Sequence, residues 1–453
     1  MAINIQTMPE FIQNIQAKVS TKSNHSYMII MVCGNAYPQF HDTVTPVGGG
    51  MEHRAALFGR GLAQKNDWNI SFVVSDFDQP FLTRHEGIDF YIYQSNYRRA
   101  GRNVFPRFRK SSWFPSLKHD WSDFSLVWQV PIIAIYLALP ALLFPRFWRS
   151  LKPDVVCCFG NNERSAEVIA DCNRQGIKTI LCVANDRDLF EDYSSNNLEL
   201  DHYGMPKWKG HYALTTASCI IVQTAFQQQM LQRNFNRSSV LIRNPVKLSQ
   251  DDKKKWITRT QREFVLWIGR ADAFNKQPSI FLDLAKHCPD LHFLMIVNRT
   301  DEAELDSLEA DCPDNLRIIE HVHPTKILDF ILRARVFVNT SRYEGFPNTF
   351  LQCAVSGVPI VSLQVDPDGM LTRNRCGIYV SGDVAKLKEA VIDLVDNSDK
   401  ADRLANACYQ YVLEYHEYRE RVAEMAACIE KLHVAEPVPE KAPWWAAMKR
   451  YWR

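Results

Sequence analysis

Ser341-Arg342-Tyr343-Glu344-Gly345-Phe346-Pro347-Asn348-Thr349-Phe350-Leu351-Gln352-Cys353-Ala354-Val355-Ser356-Gly357-Val358-Pro359 is the stretch on which the fold of this chain is decided. The apolar run Val336–Asn339 precedes it and Pro359–Ser362 closes it, and both read as buried strands. Between them lie a polar loop carrying Glu344, a proline suited to a first helical turn, and a helical pattern over Asn348–Ser356. Strand, loop, helix and next strand make one βα unit of a parallel sheet. Ligands of such sheets sit off the carboxyl ends of the strands, beside helix N-termini. Asn348 and Thr349 can therefore offer N–H groups or side chains to an anion, and Gln352, one turn later, can face the same crevice. A carboxylate and an amide so placed suit the hydroxyls of a sugar or a ribose. As structure alone the segment is a strand, a capped helix and a strand, which leaves its polar, Gly/Pro-rich loop unexplained.

The same rhythm extends in both directions. Ahead of the quoted segment, strands are expected at Phe264–Ile268, His292–Val297 and Leu316–Ile319, with helices at Pro278–His287, Glu302–Glu309 and Thr325–Arg333; a helix at Val384–Asn397 follows it. The first half offers strands near Tyr27–Gly34, Ile70–Ser75, Ile88–Tyr93, Asp154–Phe159, Lys178–Val183, Cys219–Val222 and Val240–Ile242, with amphipathic stretches such as Glu52–Gln64 and Ala166–Gln175. The halves part at Asn244-Pro245, where proline disfavours helix, and at the polar run Ser249–Lys255. The expectation is α/β: two Rossmann-like doubly wound parallel-sheet domains, 27–245 and 246–432, facing a cleft and closed by one long helix over Lys400–Leu432. A polar extension, 1–26, precedes them, and a Pro-rich linker with a Trp-rich basic tail, 433–453, follows. A length of 453 residues agrees, because single cores stop growing near ~250–300 residues.

Two other loops carry chemistry. Pro46-Val47-Gly48-Gly49-Gly50-Met51-Glu52 follows the first strand and opens a helix; Gly48, Gly49 and Gly50 let backbone N–H groups approach a phosphate or an acceptor. The spacing is not that of a dinucleotide fingerprint, and a bare glycine turn is the plain alternative. Gly269 ends an apolar strand, so Arg270 emerges into the cleft and Lys276 returns at the end of a short loop. Two cations converging there suit a diphosphate leaving group, although solvated surface cations are the ordinary fate of such residues.

Composition excludes several classes. Lys and Arg number 53 against 51 Asp and Glu, a net charge of +2, so no global field favours nucleic acid. The 12 cysteines form no C-x-x-C pair or Cys/His ladder, which points to reduced packing thiols rather than a zinc site. The first 26 residues hold no continuous apolar core, so no secretory signal is read there and a cytoplasmic location is expected.

The three motifs, in this order over about Tyr27–Leu432, resemble the GT-B glycosyltransferases of family four (glycosyl transferases group 1). Glu344 to Gln352 resembles the family's E-x7-E signature with its downstream small-Gly-x-Pro, and Gly269-Arg270…Lys276 its diphosphate pair. Leu241-Ile242-Arg243-Asn244-Pro245-Val246 resembles its interdomain junction. The resemblance implies a retaining, metal-independent transfer of a sugar from a nucleotide-sugar to a glycan or lipid-linked acceptor, without a cofactor. By the same resemblance Arg270 and Lys276 would bind the diphosphate, Glu344 the transferring sugar and Gln352 the ribose. Gly269, Phe346, Pro347, Asn348 and Thr349 would complete the donor site, with Val322, between His321 and His323, at the base. The glycine loop would line the acceptor side. Gln352 departs from the second acid of the signature. The segment Cys182-Val183-Ala184-Asn185-Asp186-Arg187-Asp188 also lacks the histidine that many members carry; Asp186 or Asp188 is the candidate facing the acceptor. These departures keep alive a degenerate scaffold protein, and a GT-B sugar-nucleotide epimerase is the enzyme alternative.

Two further segments suggest a membrane surface. Tyr97–His119 interleaves Arg98, Arg99, Arg102, Arg107, Arg109, Lys110 and Lys118 with aromatic residues and holds no acid before His119; Phe124–Pro145 then runs without a charge. A true span would separate parts of one domain, so this insertion, 97–149, either packs under the first domain or dips into one leaflet. In the tail, Trp444, Trp445, Met448, Tyr451 and Trp452 share one helical face and Lys449, Arg450 and Arg453 the other. Peripheral contact with an anionic cytoplasmic membrane face, in cell-envelope or polysaccharide synthesis, is the resulting expectation.

Overall fold

The computed structural model describes residues 27–41, 44, 49–80, 82–92, 147–148, 150–248, 251, 253, 256–298, 302–320 and 322–434. Gly48, His321, the insertion over 97–146, the extension 1–26 and the tail after Val434 lie outside them.

Near-continuous apolar runs make strands that must be covered on both faces. In the first lobe these are β1 (Tyr27–Val32), β2 (Trp68–Val74), β4 (Ile88–Ile92), β5 (Val155–Phe159), β6 (Lys178–Cys182), β7 (Cys219–Val222) and the short β8 (Val240–Leu241). Together with β3 (Leu82–His85) they form an eight-stranded sheet of order β3-β4-β2-β1-β5-β6-β7-β8. β3 is antiparallel to β4, an edge strand that no apolar run announced. Met31 pairs with Phe72 on one side and Cys157 on the other, so the strand order reverses at β1. One face packs on α1 (Gly50–Leu62); the other packs on α2 (Glu163–Asn173), α3 (Lys207–Thr216) and α4 (Ala225–Phe235).

The second lobe repeats the plan with six parallel strands, β9 (Phe264–Arg270), β10 (Phe293–Asn298), β11 (Leu316–Glu320), β12 (Ala334–Asn339), β13 (Ile360–Ser362) and β14 (Gly377–Tyr379). Their order is β11-β10-β9-β12-β13-β14. The reversal falls between β9 and β12, the two strands whose following loops hold Arg270, Lys276 and Glu344, so a crevice is expected off their carboxyl ends. The helices here are α5 (Pro278–Lys286), α6 (Glu302–Ala310), α7 (Pro324–Arg333), α8 (Asn348–Val355), α9 (Val384–Asp396), α10 (Ser398–Tyr415) and α11 (Tyr418–Val434).

The expected long helix over Lys400–Leu432 is two. α10 ends at His416, which is fully buried, and its Nδ1 lies 2.8 Å from the Asn244 carbonyl oxygen. Val246 N–H donates to the His416 carbonyl at 2.9 Å, and Val246 bridges to Glu417. The chain thus passes between lobes twice, side by side, at 244–246 and 416–417. Beyond the second passage, Met425, Ala426 and Ile429 of α11 belong to the core of the first lobe with Ala55, Phe58 and Leu62 of α1. All twelve cysteines are free thiols, and burial pushes those of Cys33, Cys157, Cys158, Cys172, Cys182 and Cys353 upward. No helix among the described residues is long and apolar enough to cross a membrane.

Candidate active site

Two helix N-termini meet across the lobes. Gly49 is the N-cap of α1, and its N–H donates to Glu52 Oε2 at 2.7 Å, so Glu52 closes the helix end from within its first turn. Pro347, expected inside the first turn of α8, is its N-cap instead, with Asn348 the first helical residue. Asn348 Nδ2 donates to the Gly50 carbonyl at 2.7 Å, while its Oδ1 accepts from Asn244 Nδ2 at 3.2 Å. One side chain therefore joins the glycine loop, the N-terminus of α8 and the interlobe junction. A Cβ at Gly50 would come within 2.6 Å of Asn348 Nδ2, a close approach that explains the glycine.

Arg270 is the last residue of β9, its side chain 37% exposed and 3.7 Å from Asp272. Lys276 returns beside it because Lys276 N–H donates to the Asp272 carbonyl at 2.9 Å. The Lys276 ammonium pairs with the Glu344 carboxylate, and the field of Glu344 reaches Arg270. The three residues that sequence selected for the diphosphate and the sugar are thus together, at the mouth of the second sheet.

The first lobe faces them with the loop after β6. Asp186 N–H donates to the Glu344 carbonyl at 3.3 Å, and Asn185 Nδ2 to the Tyr343 carbonyl at 3.3 Å. Gln227 Nε2 donates to Asp186 Oδ1 at 2.9 Å. Burial pushes the Asp186 carboxyl up to about 8; the Gln227 hydrogen bond opposes this, and the charges of Glu344, Asp188 and Asp368 add to it. Asp188 turns inward, accepting from the Ala184 and Asn185 N–H groups at 3.1 Å each, and burial brings it to about 6. Of the two acids, Asp186 faces the other lobe and Asp188 shapes its own loop.

Other expected donor residues divide. Gly269 sits under the Trp267 ring, where a Cβ would lie 2.6 Å from Cη2. Thr349 and Gln352 are half-buried on the first turns of α8, and Val322 packs against the second core. Phe346 departs from expectation: its ring is 3% exposed, in the core, with its centroid 4.4 Å from that of His416. Only its backbone is at the site, the N–H donating to Gln223 Oε1 at 3.3 Å and the carbonyl accepting from Asn244 Nδ2 at 2.9 Å.

Sequence reasoning missed the residues that hold the lobes together. Gln223 Nε2 donates to the Val183 and Ala184 carbonyls at 2.8 and 2.9 Å. Asp368 of the second lobe accepts from the Ala225 and Phe226 N–H groups at 3.0 and 3.2 Å, capping α4 across the gap, and pairs with Arg243 at 3.2 Å. Gln223 and Gln227, one helical turn apart just after a strand, were the available signal.

Known proteins agree with this architecture. The family described as glycosyl transferases group 1 matches residues 262–397. No curated protein sequence matches the chain. Among solved structures, the sucrose-phosphate synthase of Thermosynechococcus elongatus is similar at 15% identity and a TM-score of 0.66, over 90% of this chain and 100% of its own. TarM is similar at 12% identity and a TM-score of 0.58, over 90% and 99%. HepE of Anabaena, solved with UDP and glucose, is similar at 12% identity and a TM-score of 0.57, over 89% and 99%. The second lobe is thus similar to the glycosyl transferases group 1, and the chain as a whole shares the two-lobed GT-B fold of these solved structures.

Proposed function

We propose that the chain moves a sugar, with retention at the anomeric carbon and without a metal ion or other cofactor, from a nucleotide-sugar to a glycan or lipid-linked acceptor in cell-envelope or polysaccharide synthesis. The observation that carries this reading is the convergence of Arg270, Lys276 and Glu344 at the strand-order reversal of the second sheet, opposite the N-terminus of α1. Lys276 and Glu344 neutralise one another while the cleft is empty. An arriving diphosphate replaces Glu344 as the partner of Lys276 and frees the carboxylate to accept hydrogen bonds from sugar hydroxyls. Departure of the nucleotide then builds negative charge between Arg270 and Lys276, facing the N-terminus of α1. Preorganised donors of this kind contribute about 3–4 kcal/mol each to acyl-transfer barriers, and a comparable term is expected here. The acceptor attacks on the face the nucleotide leaves.

Gln352 can hydrogen-bond a ribose as a neutral partner, so donor binding survives the departure from the family's second acid. The solved neighbours support the donor class: HepE holds UDP and glucose, and WaaB, at a TM-score of 0.53, is described as a lipopolysaccharide outer core galactosyltransferase. The basic-aromatic insertion and the Trp-rich tail support peripheral attachment to an anionic membrane face, from the sequence alone.

The test is release of nucleoside diphosphate from a panel of nucleotide-sugars, with the anomeric configuration of the product read by NMR. Glu344→Ala and Arg270→Ala should each lower turnover by at least a hundredfold with the fold intact. A wild type that is stabilised by a nucleotide-sugar yet turns none over would establish the scaffold alternative instead.

A further inference from the structure

The loop after β6 brings one more cation to the cleft. Arg187 lies in the short 3-10 turn Asp186–Leu189, and its N–H is held by Asn185 Oδ1 at 2.9 Å. The neighbours Asn185 and Asp186 are bonded to the Tyr343 and Glu344 carbonyls, so the turn is fixed against the second lobe. The Arg187 side chain crosses in the same direction. Its guanidinium carbon lies 4.7 Å from the centroid of the Phe274 ring and 5.9 Å from that of Tyr343. Phe274 belongs to the loop between Arg270 and Lys276, and Tyr343 immediately precedes Glu344. A cation of the first lobe therefore stands on both loops of the second lobe that carry the candidate diphosphate and sugar groups.

Arg187 differs from its neighbours in what answers its charge. Arg270 has Asp272 and Lys276 has Glu344. Among the described residues Arg187 has no carboxylate partner, and its Nη1 is buried without a hydrogen-bond acceptor. Buried guanidinium N–H groups are ordinarily satisfied, and an unmet one is unfavourable. Contact with two rings holds the guanidinium in place in advance, and its fork of N–H groups matches the oxygens of a phosphate. Burial brings the imidazole of His202, on the strap between the 3-10 turn and α3, down to about 4, and the charges of Arg187 and Arg270 act in the same direction; the two arginines thus share one neighbourhood.

We propose that Arg187 is a third cation of the diphosphate site, contributed by the first lobe, whose Nη1–H is met by a diphosphate oxygen of the donor when the lobes are closed. The proposal rests on the function proposed above. It adds that the leaving charge is gripped from both lobes, so that closure and stabilisation of the leaving group are one event rather than two.

Titration calorimetry with UDP, the ligand of one solved neighbour, and with uridine tests this on the full chain, using wild type, Arg187→Gln, Arg187→Lys and Arg270→Gln. Expected is a roughly tenfold loss of UDP affinity in Arg187→Gln with uridine affinity unchanged, and partial recovery in Arg187→Lys. UDP affinity unchanged in Arg187→Gln but lost in Arg270→Gln would overturn the third cation and leave the function standing. Equal loss for UDP and uridine, with a lowered melting temperature, would make Arg187 a purely structural contact and overturn it too. A wild type that binds no UDP, GDP, ADP or TDP would overturn the donor site itself, and the third cation with it.

Discussion

Gly345→Ala places one methyl group at the seam between the lobes. Gly345 lies in the Glu344 loop, and a Cβ there would stand 2.6 Å from the Ala184 carbonyl oxygen, 2.7 Å from Gln223 Nε2 and 2.9 Å from Gln227 Nε2. The first of these is backbone, held in turn by Gln223, so the methyl is accommodated only by parting the lobes. Ordinary contact begins near 3.4 Å, which requires a separation of about 0.8 Å at this point. Overpacking of this kind costs about 1–3 kcal/mol, and every 1.4 kcal/mol is tenfold. Because the strain exists only in the closed arrangement, closed molecules should fall by about five- to 150-fold, and kcat/KM with them. Neither lobe's own core is touched, so the melting temperature should move by under about 2 °C. Steady-state kinetics beside scanning calorimetry reads both quantities. Wild-type kcat/KM in the variant would refute the argument, since it would mean that this seam is not closed during turnover. A large fall in melting temperature would refute it as well, by locating the strain inside a lobe.

Asp186 makes stability depend on pH. Its carboxyl titrates near 8 in the folded chain against an ordinary 3.8, so its protonated form is favoured there, and its contribution is complete below about pH 4 and lost as pH rises through 8. The melting temperature of the wild type should decline over that window relative to Asp186→Asn, with Asp188 adding equally to both; parallel profiles would contradict the assignment. Asp368→Ala leaves the Thr224 cap of α4 in place but removes the interlobe acceptor of the Ala225 and Phe226 N–H groups and leaves Arg243 without its carboxylate. About 2 kcal/mol of stability to denaturant should be lost, with partial retention in Asp368→Asn, and an unchanged unfolding midpoint would count against the interlobe cap.

Where the sequence was legible, a short-range cause lay behind it. Continuous apolar runs such as Ile29–Val32 and Val336–Val338 had to be doubly covered strands, and residues just past them had to emerge at the carboxyl edge. That is why Arg270, Lys276 and Glu344 could be chosen together although distant in sequence. β14, three half-buried residues, and β3, a polar edge strand, had no such run to betray them. The break at His416 was hidden because apolar spacing continues from Tyr411 and Val412 to Tyr418; the break falls where His416 meets the Asn244 carbonyl, a partner 172 residues earlier in the chain. Phe346 misled for the opposite reason: its loop is polar, but the ring turns back into the core. Arg187 was visible in the segment after β6, yet its significance depends on Phe274 and Tyr343, which only the tertiary fold supplies.

The paired passages at 244–246 and 416–417 make the second lobe an insertion between the sheet of the first lobe and that lobe's own last helix. Genetic exchange of the second lobe between relatives would then require a cassette with two seams. A single crossover near Asn244 would import a foreign C-terminal helix onto the native α1, mismatching Met425, Ala426 and Ile429 against Ala55, Phe58 and Leu62. Chimaeras joined at both seams keep that packing, and with it a first lobe that folds whatever second lobe it carries.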